Sequence, residues 1–251
     1  MVLAKSMESL MEGNSVIRKM FELGREMAKK YGKDAVYDFS LGNPVAEVPY
    51  EVKNAIISLL ENQDPHEIHG YMQNAGFEDV REAVAEHLKK RFTVDYTKEN
   101  ILLCAGAAGG LNILARCLLD EEDEVLCFAP YFTEYKSYVS HYKGKLTVIP
   151  VKENDFSLNV EEAEKRIGRR TKAVILNNPN NPSGIIYSEE ELRALALMLE
   201  KAEERVGHPI YLICDEPYRE LAYDGREVLF MPKLYRNSIY LSSFSQTLSI
   251  P

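Results

Sequence analysis

Three consecutive stretches decide the fold: TKAVILNNPNNPSG (residues 171–184), EEELRALALMLEKAEERVG (189–207) and IYLICDEPYRE (210–220). The first and last contain apolar runs of strand length, and each ends abruptly in polar or turn-forming residues. Between them lies a long amphipathic helix pattern. Strands joined through a helix run parallel, and strands apolar without alternation are buried on both faces. The unit therefore predicts an α/β fold with a largely parallel sheet and helices on both faces.

The same alternation continues outward. DEVLCFAPYFTEYKSYVSHY (123–142) reads as strand, turn and helix, KLTVIPV (145–151) as a strand and NVEEAEKRIG (159–168) as a helix. Further upstream, FEDVREAVAEHLKKRF (77–92) is a helix, and ILLCAG (101–106) reads as a strand running straight into the helix AAGGLNILARCLLD (107–120). QDPHEIHGYMQNAG (63–76) reads as a long polar loop carrying Tyr71, and VPYEVKNAIISLLEN (48–62) as an amphipathic helix with Pro49 near its start. AVYDFSLG (35–42) reads as a short strand. SVIRKMFELGREMAKK (15–30) places Ile17, Met20, Phe21, Gly24 and Met27 on one helical face, as an arm or clasp. The last strand, Ile239 to Leu241, opens into Ser242, Ser243, Phe244, Ser245, Gln246 and Thr247.

Composition narrows the function classes. With 251 residues, 45% of them hydrophobic, the chain has material for one large domain or one and a half, and no apolar run is long enough to span a bilayer. The net charge of −9 comes with lysines and arginines set beside acids on helix faces (EKRIGRR, EHLKKRF), a pattern that argues against nucleic acid as a partner. Cys104, Cys117, Cys127 and Cys214 form no CxxC pair, and three of them sit in apolar runs, which predicts buried free thiols in a reducing compartment. His66, His69, His87, His141 and His208 show no ligand spacing, so no metal site is expected. Charges scattered through the N-terminal stretch do not suit a secretory leader, and the expected location is the cytoplasm.

Four strand ends finish in small or polar residues: Ala105-Gly106, Asn177 to Asn181, Asp215 to Tyr218 and Ser242 to Gln246. Parallel sheets take their ligands at the carboxyl ends of strands, so these turns can converge on one site. Strand, small-residue turn and helix at Gly106-Ala107-Ala108-Gly109-Gly110 is the geometry that receives an anion. Close helix packing accounts for the same glycines equally well, and neither GxGxxG nor the P-loop pattern fits. Asp215, directly after IYLIC, is costly to bury without a cationic partner.

From about Ser15 to the end, the chain resembles the class I/II aminotransferases, the pyridoxal-phosphate enzymes of fold type I. The motifs LGNP (41–44), NNPNNPSG (177–184), DEPY (215–218) and SSFSxT (242–247) carry the resemblance in the family's order. It implies a cofactor, pyridoxal 5′-phosphate, and position-by-position roles. Asp215 resembles the carboxylate that pairs with the pyridine nitrogen, and Tyr218 and Asn181 the pair that hydrogen-bonds the ring's phenolic oxygen. Phe132 resembles the aromatic that stacks on the ring. Ala107, Ala108 and Ser243 match the phosphate-holding positions, and Tyr71 a residue that reaches the phosphate of a neighbouring subunit in a homodimer. Gly42, with Asn181, matches the substrate-carboxylate contacts.

The resemblance also implies a division into residues 1–45, an N-terminal arm with part of a small domain, and residues 46–251, the cofactor-binding large domain. The C-terminal small domain is expected to be absent beyond Pro251, together with its substrate-binding arginine and the family's Gly-x-Arg phosphate contact. The substrates implied are an amino acid and a 2-oxo acid.

One departure bears on the chemistry. Gln246 stands where the family has the Schiff-base lysine, and an amide nitrogen, its lone pair delocalised into the carbonyl, can neither form that bond nor shuttle a proton. Lys233, the nearest lysine, belongs to another segment. The expected product is an aminotransferase scaffold with little or no turnover. A lyase or decarboxylase on the same fold, or a non-catalytic ligand-binding regulator, are the alternatives. A Gln at this position is open to three origins: an engineered substitution, a natural loss or an artefact of the sequence.

Overall fold

The computed structural model describes residues 16–39, 42, 44, 46–152 and 155–251. The parts of the expected arm, the AVYDFSLG strand and the LGNP motif that fall on residues 1–15, Ser40, Leu41, Asn43 and Val45 lie outside the described residues. Two compact units divide the chain between Glu47 and Val48, with Pro251 grouped with the first.

In the N-terminal unit, helix α1 (Val16–Tyr31) stops at Gly32, whose φ of 89° no helix accommodates, and a single 3-10 turn follows over Lys33–Ala35. Met20 and Met27, on the face expected to pack, are exposed. The strand expected over AVYDFSLG does not form among its described residues: Val36 to Phe39 have no ladder, and Tyr37 and Phe39 are exposed. A strand needs a neighbour's backbone to bond, and the apolar pattern alone supplies none.

The second unit is built on a five-stranded, all-parallel sheet of order β2-β1-β3-β4-β5. Its strands are β1 (Glu124–Phe128), β2 (Lys145–Ile149), β3 (Thr171–Asn177), β4 (Tyr211–Asp215) and β5 (Ser238–Leu241). The helices in chain order are α2 (Tyr50–Asn62), α3 (Pro65–His69), α4 (Glu78–Phe92), α5 (Gly106–Leu118), α6 (Tyr135–Ser140), α7 (Val160–Arg166), α8 (Glu189–Val206) and α9 (Phe244–Thr247).

Alternation along each strand divides the interior into two cores. Leu126, Val174, Leu176, Leu212 and Cys214 face one way, onto Ala163 of α7 and Leu192, Leu195 and Leu199 of α8. Val125, Cys127, Ala173, Ile175, Ile213 and Leu241 face the other way, onto Leu111 and Ala115 of α5 and Tyr135 and Val139 of α6. Helix α8 starts on a capping box, in which Ser188 accepts from Glu191 N–H and the Glu191 carboxylate accepts from Ser188 N–H. It ends at Gly207, in the left-handed region with φ 82°. Among the described residues no helix is long and apolar enough to cross a membrane.

Three sequence expectations need correcting here. ILLCAG is not a strand: Ile101 to Cys104 are extended, but the sheet ends at β5, and Leu103 N–H bonds the loop carbonyl of Ala75 instead, at 2.9 Å. The 63–76 loop contains a helical turn, α3, because Asp64 caps it by accepting from His66 N–H at 2.8 Å and Pro65 presets its first φ. Of the four free cysteines only Cys127 and Cys214 are buried; Cys104 lies in the unladdered segment and Cys117 on the outer side of α5.

Of the small residues at the start of α5, the fold itself requires two. Gly106 takes φ +67°, and a Cβ on Gly110 would stand 2.4 Å from Leu241 Cδ1 and 3.3 Å from Cys104 Sγ. Close approach of α5 to β5 therefore depends on Gly110. The substitution Gly110→Ala is expected to cost about 1–3 kcal/mol of unfolding free energy by overpacking. Gly168→Ala, whose added Cβ meets nothing within 4 Å, should stay within about 0.5 kcal/mol of the parent. Urea midpoints of the two variants check this, and equal midpoints would contradict it.

Candidate active site

The carboxyl ends of β3, β4 and β5 lie side by side, with Asn177 opposite Asp215 and Asp215 opposite Leu241 in the ladders. The turns that follow are therefore neighbours by construction. Asn177 stitches the first two: its Nδ2 donates to the Asp215 carbonyl at 2.8 Å, and its Oδ1 accepts from Asn181 N–H at 2.6 Å. Asn181 Nδ2 in turn donates to the Tyr218 hydroxyl at 3.1 Å. Asn180 joins the third turn, donating to the Pro130 carbonyl at 3.1 Å beside Phe132. Glu216 N–H bonds the Leu241 carbonyl at 2.9 Å and so ties β4's turn to the strand that leads to Ser243.

Asp215 sits at the centre and is 5% exposed. Its Oδ2 accepts a hydrogen bond from the buried Tyr135 hydroxyl. Its Oδ1 is buried with no hydrogen-bond partner among the described residues. Burial pushes the carboxyl up to about 6, with the Tyr135 bond pulling the other way. The Tyr135 hydroxyl is held well above its ordinary range by burial and by the Asp215 charge. Burial also raises the Tyr218 hydroxyl, opposed by its Asn181 bond and reinforced by Asp215. The ring of Phe132 stands edge-on to that of Tyr135, with centroids 5.7 Å apart and planes at 85°.

Around this centre the remaining predicted residues fall into place unevenly. Ala107 and Ala108 occupy the first turn of α5, whose N-cap, Ala105, makes no side-chain capping bond, so the turn's N–H groups meet no cap. Ser243 caps the short α9: its Oγ accepts from Ser245 N–H at 3.2 Å and lies 2.8 Å from Ser245 Oγ. Gln246 lies on α9 and is half-buried. Tyr71 is fully exposed between α3 and α4 and does not join the cluster. Gly42 belongs to the N-terminal unit.

Sequence reasoning missed Tyr135, and included Asn177 and Asn180 only as parts of the Asn177 to Asn181 turn. Tyr135 lies in the same strand-to-helix turn as Phe132, and its spacing from Phe132 matches one helical turn, a signal that was available. The asparagines were visible as turn formers, but their mutual bonds depend on the register of β3 against β4.

A class I and II aminotransferase model matches residues 35–251. The chain belongs to this family. Class I and II aminotransferases are pyridoxal-phosphate-dependent enzymes. A probable aspartate/prephenate aminotransferase of Aquifex aeolicus is 32% identical over 86% of this chain and 53% of its own length. An aspartate aminotransferase of Bacillus subtilis is 30% identical over 82% of this chain and 50% of its own length. Among solved structures, an aminotransferase from Eubacterium rectale superposes with TM-score 0.95 at 40% identity, covering all of this chain and 63% of that one. An aspartate aminotransferase from Thermus thermophilus with maleate gives 0.81 at 26% identity, covering 94% and 59%. The chain thus spans about half the length of these curated aminotransferase relatives.

A buried carboxyl raised to about 6 favours folding while it carries its proton, and that contribution is lost as pH rises from about 4 through 6. At neutral pH the fold bears the cost of the bare charge. Asp215→Asn, which keeps the shape and an acceptor for Tyr135, is expected to match the parent near pH 4. Above pH 6 it should exceed the parent's unfolding free energy by about 1–3 kcal/mol. Denaturant titrations at the two pH values measure the difference, and a pH-independent difference would contradict the assignment.

Proposed function

We propose that this chain carries the cofactor-binding face of an aminotransferase that moves an amino group between an amino acid and a 2-oxo acid, and that Gln246 leaves it with little or no turnover. The observation that carries the reading is Asp215 Oδ1, a carboxylate oxygen buried without a hydrogen-bond partner among the described residues. A buried acceptor of that kind is costly unless a donor, preferably cationic, arrives with a ligand. The protonated ring nitrogen of pyridoxal 5′-phosphate is such a donor, and the residues present fit a ring held without a covalent bond. They do not fit covalent attachment, because position 246 offers an amide and not an amine.

Bound there, the cofactor supplies an electron sink for the electrons released at a substrate's α-carbon. This chain's residues hold and orient. Asp215 keeps the ring nitrogen protonated, Tyr218 and Asn181 hydrogen-bond its phenolic oxygen, and Phe132 covers a face. The N–H groups of Ala107 and Ala108 with the Ser243 hydroxyl receive the phosphate. Tyr71 serves the partner's site in a homodimer, and its full exposure within one chain supports that role. Asn181 is assigned to the substrate carboxylate, and the family resemblance gives Gly42, in the N-terminal unit, a substrate-contact role. Residues 1–45 act as arm and part of a small domain, residues 46–251 as the large domain, and the protein works in the cytoplasm. Gln246 specifically favours a second reading, a non-catalytic protein that binds the cofactor reversibly.

The two readings separate on one residue. After incubation with pyridoxal 5′-phosphate and borohydride reduction, the peptide carrying position 246 is expected to stay unlabelled in the parent and to gain the cofactor's mass in Gln246→Lys. Pyridoxamine 5′-phosphate, which needs no covalent link, should bind both, as read by calorimetry. If neither protein takes up either compound, the pocket is not a pyridoxal-phosphate site.

A further inference from the structure

A second cluster, apart from the residues assigned to the candidate site, gathers around one buried guanidinium. Arg219 directly follows Tyr218 and is 6% exposed. Its Nε donates to Glu216 Oε2 at 2.6 Å, and its Nη2 pairs with the same carboxylate. Nη1 donates to the Val228 carbonyl, and Nη2 to that of Leu229 at 3.1 Å. Three rings surround the cation: the guanidinium carbon lies 5.0 Å from the centroid of Phe92, 5.7 Å from Phe230 and 5.8 Å from Tyr240. Phe92 and Phe230 stack on each other at 4.0 Å, with planes 1° apart. Beside them Arg91 and Glu220 form a two-pronged ion pair, and Arg91 also lies over Phe92.

Four pieces of chain meet on this one side chain: the end of α4, the turn after β4, the segment 228–230 and strand β5. Two of them carry residues of the site. Tyr218, next to Arg219, presents its hydroxyl to Asn181, and its carbonyl accepts from Leu221 N–H at 2.9 Å. Tyr240 lies just ahead of the Ser243 turn. A buried cation is retained only where acceptors and ring faces replace its hydration, and only a guanidinium offers a planar face together with a fork of N–H donors. A lysine ammonium at this position cannot serve the carboxylate, two carbonyls and three rings at once.

Charge placement sharpens the point. Asp215 and Glu216 are adjacent buried acids on opposite faces of the sheet, since Asp215 meets Tyr135 on the α5/α6 side while Glu216 turns the other way to Arg219. The cation in the fold answers Glu216. Asp215 has no basic partner among the described residues, so its charge stays available to a ligand.

We propose that Arg219 is a positioning residue: it clamps the Asp215 to Tyr218 turn to β5, and so fixes the Tyr218 hydroxyl and the Ser243 turn toward a shared planar, phosphorylated ring ligand. The ligand part rests on the function proposed above, whereas the clamp is a property of the ligand-free chain. Two measurements keep them apart.

The first is amide hydrogen exchange of the ligand-free protein. In Arg219→Lys, peptides covering 216–222 and 238–247 should exchange about tenfold faster, while those of α8 keep the parent's rate. Parallel acceleration in α8 means that Arg219 supports only global stability, and overturns the clamp. The second is a double-mutant cycle on pyridoxamine 5′-phosphate affinity. Tyr218→Phe should weaken binding by about five- to tenfold in the parent and by less than about twofold in the Arg219→Lys background. Equal losses in both backgrounds overturn the positioning role. Localised exchange with no binding by the parent refutes the cofactor reading and leaves the clamp standing. If Arg219→Lys does not fold, Phe92→Leu removes one ring, leaves the ion pair, and should give the same localised pattern at smaller amplitude, with uniform acceleration again decisive against it.

Discussion

A carboxylate with one satisfied oxygen and one unsatisfied oxygen, buried at the end of an interior strand, is the constraint on which the rest of this structure turns. Left to itself such a group takes up a proton or draws in water. Here Tyr135 fixes Oδ2, the β3 and β5 ladders fix the backbone on either side, and Asn177 bonds the carbonyl of the same residue. Oδ1 is thereby held in a defined place without being neutralised. The sheet order makes this possible, because β4 lies between β3 and β5 and its end cannot drift without breaking ladders on both sides.

The two-sided sheet has a second consequence. Strand alternation sends Asp215 to the face of α5 and α6, and Glu216 to the face where Arg219 and the rings lie. Adjacent acids are thus given opposite environments by the pleat alone. One is paired within the fold and contributes rigidity. The other keeps one oxygen without a hydrogen-bond partner among the described residues, at a cost in stability borne by two apolar cores, each packed against its own pair of helices.

The sequence made the central architecture legible because its signals are local. The β3-α8-β4 unit appears in the apolar runs, in the helix period between them, and in the polar residues that end each strand. Gly42, Asn181, Asp215, Tyr218 and Ser243 were visible as parts of motifs. What stayed hidden depends on distant partners. Tyr135 and Asp215 are 80 residues apart in sequence, and nothing near either one announces the other. ILLCAG has every strand propensity, yet strand formation is decided by whether a neighbour's backbone is there to be bonded. Cys104 and Cys117 sit in apolar runs and are exposed for a related reason, since composition reports what a segment tolerates and packing decides what covers it. Nothing in the run DEPYRE marks Arg219 as buried, because the rings of Phe92, Phe230 and Tyr240 that surround it come from other segments.

On the function proposed above, holding and reacting are separable at the turn that carries position 246. Helix α9 is set by Ser243, whose hydroxyl accepts from Ser245 N–H, by the Thr247 hydroxyl donating to the Ser243 carbonyl at 3.3 Å, and by Leu248 N–H bonding the Phe244 carbonyl at 2.9 Å. None of these bonds uses a side-chain amine. These three bonds by themselves do not depend on which side chain stands at position 246. On the function proposed above, the strand ends, the buried acid and the turns would still hold a ring while the group that makes the covalent bond is exchanged. On that reading, affinity for the ring would be distributed over several backbone and side-chain donors and would tolerate such a loss. Proton transfer at a substrate carbon rests on a single basic nitrogen, and does not.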